Sequence, residues 1–134
     1  MKITLADVSV PENSDCNCVA EVAKAVFNCS LQEFYNFVGS EPPYSDMDFL
    51  EFALSKGYIV GAGLCPDSYG ISQDTQLKFT MKDVPCYIVT KGNAYEHAIY
   101  WDGEKVHDSN PFNKGKNLED YKIYRIFPIL RISK

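Results

Sequence analysis

The sequence predicts an α+β fold in a single domain, residues 1–134, with helices first and an antiparallel β-sheet after them. Three observations carry this prediction: helical apolar periodicity before Gly57, strand-like apolar runs after it, and an Asp-Gly pair between two of those runs. The 134 residues suffice for a hydrophobic core, and 46% hydrophobic with 23% charged residues is ordinary for a globular chain. No internal repeat and no linker divides the sequence.

The first predicted helix runs from about Cys18 to Asn28, because apolar residues at positions 19, 22, 23, 26 and 27 form one helical face. Asp15 and Asn17 are good N-cap residues just before it. Cys18 therefore falls in the first turn, where unpaired backbone N–H groups and the helix dipole favour a thiolate. The alternative is that Cys18 is a small buried side chain without chemistry.

Two further helices are expected before Gly57. A capping-box sequence from Ser30 to Glu33 starts one of them, and Gly39 ends it. Ser45 caps the other, which Gly57 closes. The apolar faces are predicted to be Leu31, Phe34, Tyr35 and Val38 in the former, and Met47, Leu50 and Leu54 in the latter.

Strand patterns dominate the chain after Gly57. Apolar, β-branched and aromatic runs are bounded there by turn residues. The expected strands are residues 58–60, 76–79, 86–90, 96–101, 104–108, 121–127 and 129–132. Residues 61–74 are rich in Gly, Ser and Pro, and we expect a long loop there that can act as a lid or substrate wall.

The Asp102-Gly103 pair predicts a two-residue hairpin turn, in which residue 101 faces residue 104. Counting back along both strands places His97 opposite Asp108, with Cβ atoms about 5 Å apart. Ile99 lies on the same face, so we expect the pair to point toward the core side. A carboxylate beside a histidine holds the imidazole in one tautomer and stabilises its protonated form.

Other interpretations of this hairpin stay open at the level of sequence. The histidine–aspartate pair can simply stabilise the hairpin, by about 0.2–1 kcal/mol. The same register puts His107 on the opposite, surface face, and a one-residue slip or a bulge would exchange the two histidines. Asn110 lies about 7–8 Å from His97 by strand geometry and is the fallback orienting residue.

Composition argues against several classes of partner. A formal net charge of −5 and a pI near 4.9 disfavour nucleic acid or an anionic membrane as the main partner. No apolar run has membrane-spanning length, and the first seven residues turn polar too soon for a secretion signal. Five cysteines, odd in number and irregularly spaced, then favour a reduced, cytoplasmic protein.

A metal site is a further candidate from the cysteines. Cys16 and Cys18 form a C-x-C pair that could bind zinc together with a distant histidine such as His97. No second Cys/His pair has zinc-like spacing. We therefore expect neither a metal nor another cofactor.

Three blocks of the sequence together resemble a known family. Residues 18–23 (CVAEVA) with 31–35 (LQEFY) are similar to a nucleophile helix and the short helix after it. Residues 84–89 (VPCYIV) are similar to the strand that precedes the histidine strand, and residues 97–108 (HAIYWDGEKVHD) to a His–Asp-Gly–Asp hairpin. The blocks resemble papain-fold cysteine peptidases, within them the small bacteriophage-type proteins related to the double-glycine, bacteriocin-processing peptidases.

This resemblance implies a papain-like fold, with the nucleophilic cysteine at a helix start and the helices packed on a C-terminal antiparallel sheet. It implies Cys18 as the nucleophile, His97 as the base and Asp108 as the carboxylate that orients the base. Cys16 is a competing nucleophile, but a match on Cys16 would put Glu21 at a core position, so the pattern favours Cys18.

The oxyanion hole departs from the family pattern. The glutamine that papain-type enzymes carry a few residues before the nucleophile is absent. Asn13 or Asn17 can substitute for it, with the Cys18 backbone N–H as the second donor.

The function expected from these observations is that of a thiol hydrolase, a cysteine peptidase or amidase acting on a peptide, isopeptide or side-chain amide. Its partner would be a peptide or protein substrate, in the cytoplasm, or in the host cytoplasm if the chain is phage-encoded. One alternative is a catalytically weak papain-like scaffold that binds a host or partner protein, for example as a phage-encoded inhibitor. Another is a metal-binding module that uses Cys16, Cys18 and His97.

Overall fold

The computed structural model of the protein describes residues 17–61, 82–91 and 96–132. The helices in these ranges are α1 (Cys18–Phe27), α2 (Leu31–Val38) and α3 (Asp46–Ser55). The strands are β1 (Tyr58–Val60), β2 (Cys86–Lys91), β3 (Glu96–Trp101), β4 (Val106–His107) and β5 (Ile123–Arg131). Helices thus precede an antiparallel five-stranded sheet of order β1-β5-β2-β3-β4, which confirms the α+β class.

The first helix begins and ends close to its predicted bounds. Its buried face is Cys18, Val19, Ala20, Val22 and Ala23. Asn28 ends the helix in the left-handed conformation, and Asn17 occupies the N-cap position without a side-chain capping hydrogen bond. Asp15, the other N-cap candidate, lies outside the described residues. The burial of Cys18 at the helix start places a thiol where α1 meets the sheet.

The caps of the next two helices follow the sequence signals. The Ser30 hydroxyl accepts a hydrogen bond from the Glu33 N–H, and Gly39 ends α2 with a φ of 79°. At α3, Ser45 and Asp48 form a complete capping box, in which each side chain accepts from the other's backbone N–H. Each helix start therefore has a local physical cause.

The predicted apolar face of α3 is wrong at Met47 and Leu54, whereas Leu50 is partly buried against the core. Met47 and Leu54 are 61% and 60% exposed, and the residues buried are Phe49, Phe52 and Ala53. Positions 49, 52 and 53 also satisfy helical spacing, so the sequence offers two faces. Aromatic contacts decide between them: the ring of Phe49 stacks on Tyr87 of β2 at a centroid distance of 4.4 Å.

The central strand β2 separates two apolar clusters. Tyr87 and Val89 point to the cluster shared with the helices, whereas Cys86 and Ile88 point to a second cluster. That second cluster is completed by Leu118 and other residues of the segment between β4 and β5. Both faces of β2 are therefore covered, which explains its continuous apolar run.

The last strand is longer than predicted. A single strand, β5, replaces the two expected at residues 121–127 and 129–132, and it runs through Pro128. Pro128 is tolerated because its strand partner changes there: residues up to 128 pair with β2, and Ile129 to Arg131 pair with β1. The predicted strand 76–79 and the predicted loop 61–74, apart from Gly61, lie outside the described residues.

The predicted register of the Asp102-Gly103 hairpin is also wrong. Trp101 pairs with Val106, not with Glu104, so four residues form the turn. The turn is wider because the Asp102 Oδ1 atom accepts hydrogen bonds from the N–H groups of residues 104 and 105, both at 2.8 Å. A shift of two residues keeps every side chain on its predicted face, since the strand period is two.

No helix in the three described ranges is long and apolar enough to cross a membrane.

Candidate active site

Cys18 is the first residue of α1, and its sulfur contacts the neighbouring strand β3. The Sγ atom accepts a hydrogen bond from the Ala98 N–H at 3.3 Å, and the residue is only 7% exposed. This donor adds to the N–H groups of the first helical turn, so backbone N–H dipoles of two elements surround the sulfur. The thiol is therefore held between a helix N-terminus and a strand backbone.

His97 precedes Ala98 in β3 and lies beside that thiol. Its Nε2 atom is 2.6 Å from Oδ1 of Asp108, and the two side chains are 9% and 5% exposed. The expected contact between His97 and Asp108 is thus confirmed, although the register that predicted it is shifted. Asp108 directly follows the two-residue strand β4. Its side chain lies on the same face of the hairpin as the side chain of His97.

The Asp108 carboxylate is saturated with hydrogen bonds. Besides His97, Oδ1 accepts from the Asn110 N–H, and Oδ2 accepts from Asn113 Nδ2 and the Tyr121 hydroxyl, each at 2.8 Å. Burial acts to raise the pKa of Asp108, but its hydrogen bonds and the charge on His97 lower it below the ordinary value. Asp108 is therefore a rigid, ionised partner for the imidazole.

The other ring nitrogen of His97 remains available to the thiol. Nδ1 is buried and makes no hydrogen bond of regular geometry with any described residue, but the Cys18 thiol lies close enough to raise the pKa of the ring. Burial acts to lower the pKa of His97, but the hydrogen bonds and negative charges of Asp108 and Cys18 outweigh it and raise the pKa to about 9. His97 is consequently an imidazolium at neutral pH, with Asp108 on one side and Cys18 on the other.

A pocket of about 290 Å³ opens on this group. Its walls include Cys18, His97, Tyr44, Asp46, Glu96 and Arg125. A larger pocket, of about 450 Å³, lies on the other side of Asp108 between α1 and the segment after β4, and neither Cys18 nor His97 lines it. The smaller pocket is the candidate active site because a reacting group must reach the thiol there.

The other candidate site residues predicted from the sequence are Asn17, Asn110, Cys16 and Asn13. Asn17 is fully buried, one residue before Cys18. The Asn110 side chain accepts from the Phe112 N–H at 3.0 Å and caps a short 3-10 turn, Pro111–Asn113, so it does not orient His97. Cys16 and Asn13 lie outside the described residues.

His107 lies at the surface, as expected from the strand face to which the sequence assigned it. Its Nε2 atom is 2.8 Å from Oδ2 of Asp102, and its ring stacks on Tyr100. The side chain of His107 is 40% exposed. The chain thus has a second histidine–aspartate pair, within the same hairpin but away from the thiol.

Asn113 and Tyr121 are the supporting residues that the sequence did not reveal. Both lie in the segment between β4 and β5, which contains two 3-10 turns, Pro111–Asn113 and Leu118–Asp120. No periodic pattern marks which side chains of such a segment turn inward. A tyrosine at the start of the β5 strand pattern was the available signal, and its hydroxyl partner depends on the tertiary fold.

Residues 17–61, 82–91 and 96–132 contain no group of three His, Cys, Asp or Glu side chains that could hold a metal ion. The described residues bring a thiol, an imidazole and a carboxylate together in series, which are the group types that a nucleophile, a base and an orienting residue require. Comparison of the sequence with protein-family models finds no match, and neither does comparison with curated proteins.

Proposed function

We propose that the protein is a papain-like thiol hydrolase in which Cys18, His97 and Asp108 form the catalytic triad. One observation carries the proposal: His97 binds the buried Asp108 carboxylate through Nε2 while its other nitrogen is left for the Cys18 thiol. Cys18 at the start of α1, against the histidine strand, also supports the papain-like assignment of the fold.

The reaction begins with attack of the Cys18 thiolate on an acyl carbonyl carbon, which forms a C–S bond. The carbonyl oxygen becomes an oxyanion, for which the Cys18 backbone N–H at the start of α1 is a donor. His97 then gives its proton to the leaving nitrogen, and the C–N bond breaks to release an amine and leave a thioester. The neutral imidazole produced in this step is ready to act as a base.

The second half of the reaction returns the enzyme to its starting state. His97 removes a proton from water, and the resulting hydroxide attacks the thioester carbon. The C–S bond breaks, which releases a carboxylic acid and restores the thiolate–imidazolium pair. The substrate is accordingly a peptide, an isopeptide or a side-chain amide, and a pocket of about 290 Å³ has room for one side chain beside the scissile bond.

The test is iodoacetamide labelling of each cysteine, followed by peptide mass spectrometry. Fragment spectra must separate Cys16 from Cys18, because no Lys or Arg lies between them. We expect Cys18 to label rapidly at about pH 6, where an ordinary thiol with a pKa of about 8.5 is almost fully protonated. His97→Ala should slow that labelling by about 10²-fold.

His107→Ala is the matched control, since it removes the other histidine and its aspartate contact while leaving Cys18 untouched. Its labelling rate should match that of the wild type. If Cys18 labels slowly in the wild type and ignores His97→Ala, the hydrolase proposal fails. The non-catalytic scaffold then becomes the better explanation of the fold.

A further inference from the structure

The Cys18 pocket carries a charged cluster at one side, formed by Asp46, Arg125 and Glu96. A single guanidinium nitrogen, Nη2 of Arg125, donates to Asp46 Oδ2 at 2.8 Å and to Glu96 Oε2 at 3.0 Å. Two carboxylates thus share one cation. The three side chains of this cluster together carry one net negative charge on the pocket wall.

The two carboxylates are not held equally. Asp46 also accepts a hydrogen bond from the hydroxyl of the buried Tyr87, at 2.6 Å, so both of its oxygens are fixed. Glu96 pairs with Arg125 through one oxygen, and its side chain is 49% exposed. A half-exposed ion pair contributes little to stability, so Glu96 can leave Arg125 at small cost.

A second feature of the same pocket is the unsatisfied ring nitrogen of His97. The residue is 7% exposed, it lines the pocket, and its buried Nδ1 has no hydrogen-bond partner within the described ranges. In the proposed mechanism this nitrogen faces the Cys18 thiol, so it marks the part of the pocket where a substrate carbonyl must bind. The charged cluster and the reactive group therefore face one binding space.

We propose that this pocket selects substrates with a positively charged group, a lysine or arginine side chain or a free amine, beside the scissile bond, and that Glu96 binds that group. This inference rests on the proposed function, because it assigns the substrate class of the same site. Asp46 and Arg125 remain paired and form the fixed wall, while Glu96 exchanges Arg125 for the substrate cation. The surplus negative charge also disfavours an acidic group at this position.

Charge-reporting thiol reagents test the proposal without requiring turnover. A methanethiosulfonate carrying a trimethylammonium group is compared with one carrying a sulfonate group. In both reactions the thiolate attacks the sulfenyl sulfur, a disulfide forms, and methanesulfinate leaves. The rate at Cys18 is read by peptide mass spectrometry, and the cation-to-anion rate ratio is divided by that for 2-mercaptoethanol.

We expect this normalised ratio to be roughly tenfold in the wild type, since a fixed charge within a pocket changes encounter rates by at least that factor. In Glu96→Gln the ratio should fall several-fold. Glu119→Gln is the matched control: it removes the same charge from an exposed residue that does not line the Cys18 pocket, and the ratio should not change.

The outcomes separate the two proposals. A wild-type ratio near one, a preference for the anionic reagent, or an equal ratio in Glu96→Gln overturns the substrate-class inference while Cys18 reactivity still supports the hydrolase. A Cys18 that is inert to both reagents and to iodoacetamide overturns the hydrolase proposal, and the substrate-class inference with it.

Discussion

Two histidine–aspartate pairs lie in one hairpin, and they differ in almost everything except their contact distance. His97 and Asp108 are 2.6 Å apart with side chains 9% and 5% exposed. His107 and Asp102 are 2.8 Å apart with side chains 40% and 27% exposed. The buried pair lies beside Cys18, whereas the surface pair lies beside the hairpin turn.

The difference lies in what holds each carboxylate. Asp102 is held locally, by His107 and by the N–H groups of Glu104 and Lys105. Burial acts to raise the pKa of Asp102, but these hydrogen bonds together outweigh it and lower the pKa to about 2. Asp108 is instead held by side chains from a segment that folds back across the sheet. A short contact alone therefore does not distinguish the two pairs; their burial and the position of Cys18 beside one of them do.

The largest expected difference between the pairs is in stability. Asp108→Ala leaves His97, Asn113 and Tyr121 without their buried acceptor, so we expect the free energy of unfolding to fall by about 3–5 kcal/mol. Asp102→Ala should cost about 1 kcal/mol, because its partners are solvent-exposed. Urea denaturation of both variants measures this, and equal losses would contradict the contrast.

The pH dependence of stability should separate the two histidines next. The folded pKa of His97, about 9, lies above the unfolded value of about 6.5, so its charge stabilises the fold fully below pH 6.5. That contribution, on the order of 3 kcal/mol, is lost as the pH rises through about 9.

We therefore expect the free energy of unfolding to decline between about pH 6.5 and 9 in the wild type. His97→Gln should flatten the decline, and His107→Gln should keep it. Denaturation series at several pH values provide the measurement, and a wild-type slope retained in His97→Gln would rule out this account.

Reactivity gives the third contrast. Asp108→Asn keeps the shape of the side chain but removes the negative charge that orients His97 and keeps it protonated, so Cys18 labelling at about pH 6 should slow by about 10²-fold. Asp102→Asn should leave the labelling rate unchanged. Comparable rates for the two variants would show that the buried carboxylate does not serve the thiol.

The smallest predicted effect concerns the hydroxyl of Tyr121. Tyr121→Phe removes one of the hydrogen bonds to Asp108 and should cost about 1 kcal/mol of stability and less than about tenfold in Cys18 labelling. Tyr124→Phe is the control, since Tyr124 contacts Lys91 and Arg125 through its ring. Thermal denaturation and Cys18 labelling of both variants provide the measurement. Losses in Tyr121→Phe as large as those in Asp108→Asn would show that the Tyr121 hydroxyl has a larger role.

Local sequence determined much of the candidate site by itself. The start of α1 at Cys18, the serine caps and the hairpin at Asp102-Gly103 follow from short-range chemistry. The contact between His97 and Asp108 was predictable even with the wrong register, because a shift of two residues returns each side chain to the same face.

Tertiary structure alone decided the rest. The choice of the Phe49 face of α3 and the Asp46–Arg125–Glu96 cluster join residues far apart in sequence. The side-chain donors to Asp108 come from a nearby segment without a periodic pattern, so only the fold shows which of its side chains turn inward. The hydrogen bond from Ala98 to the Cys18 sulfur spans 80 residues. Periodicity reports which face of an element is apolar, but it carries no information on which distant element meets that face, and that meeting is what places a thiol beside an imidazole.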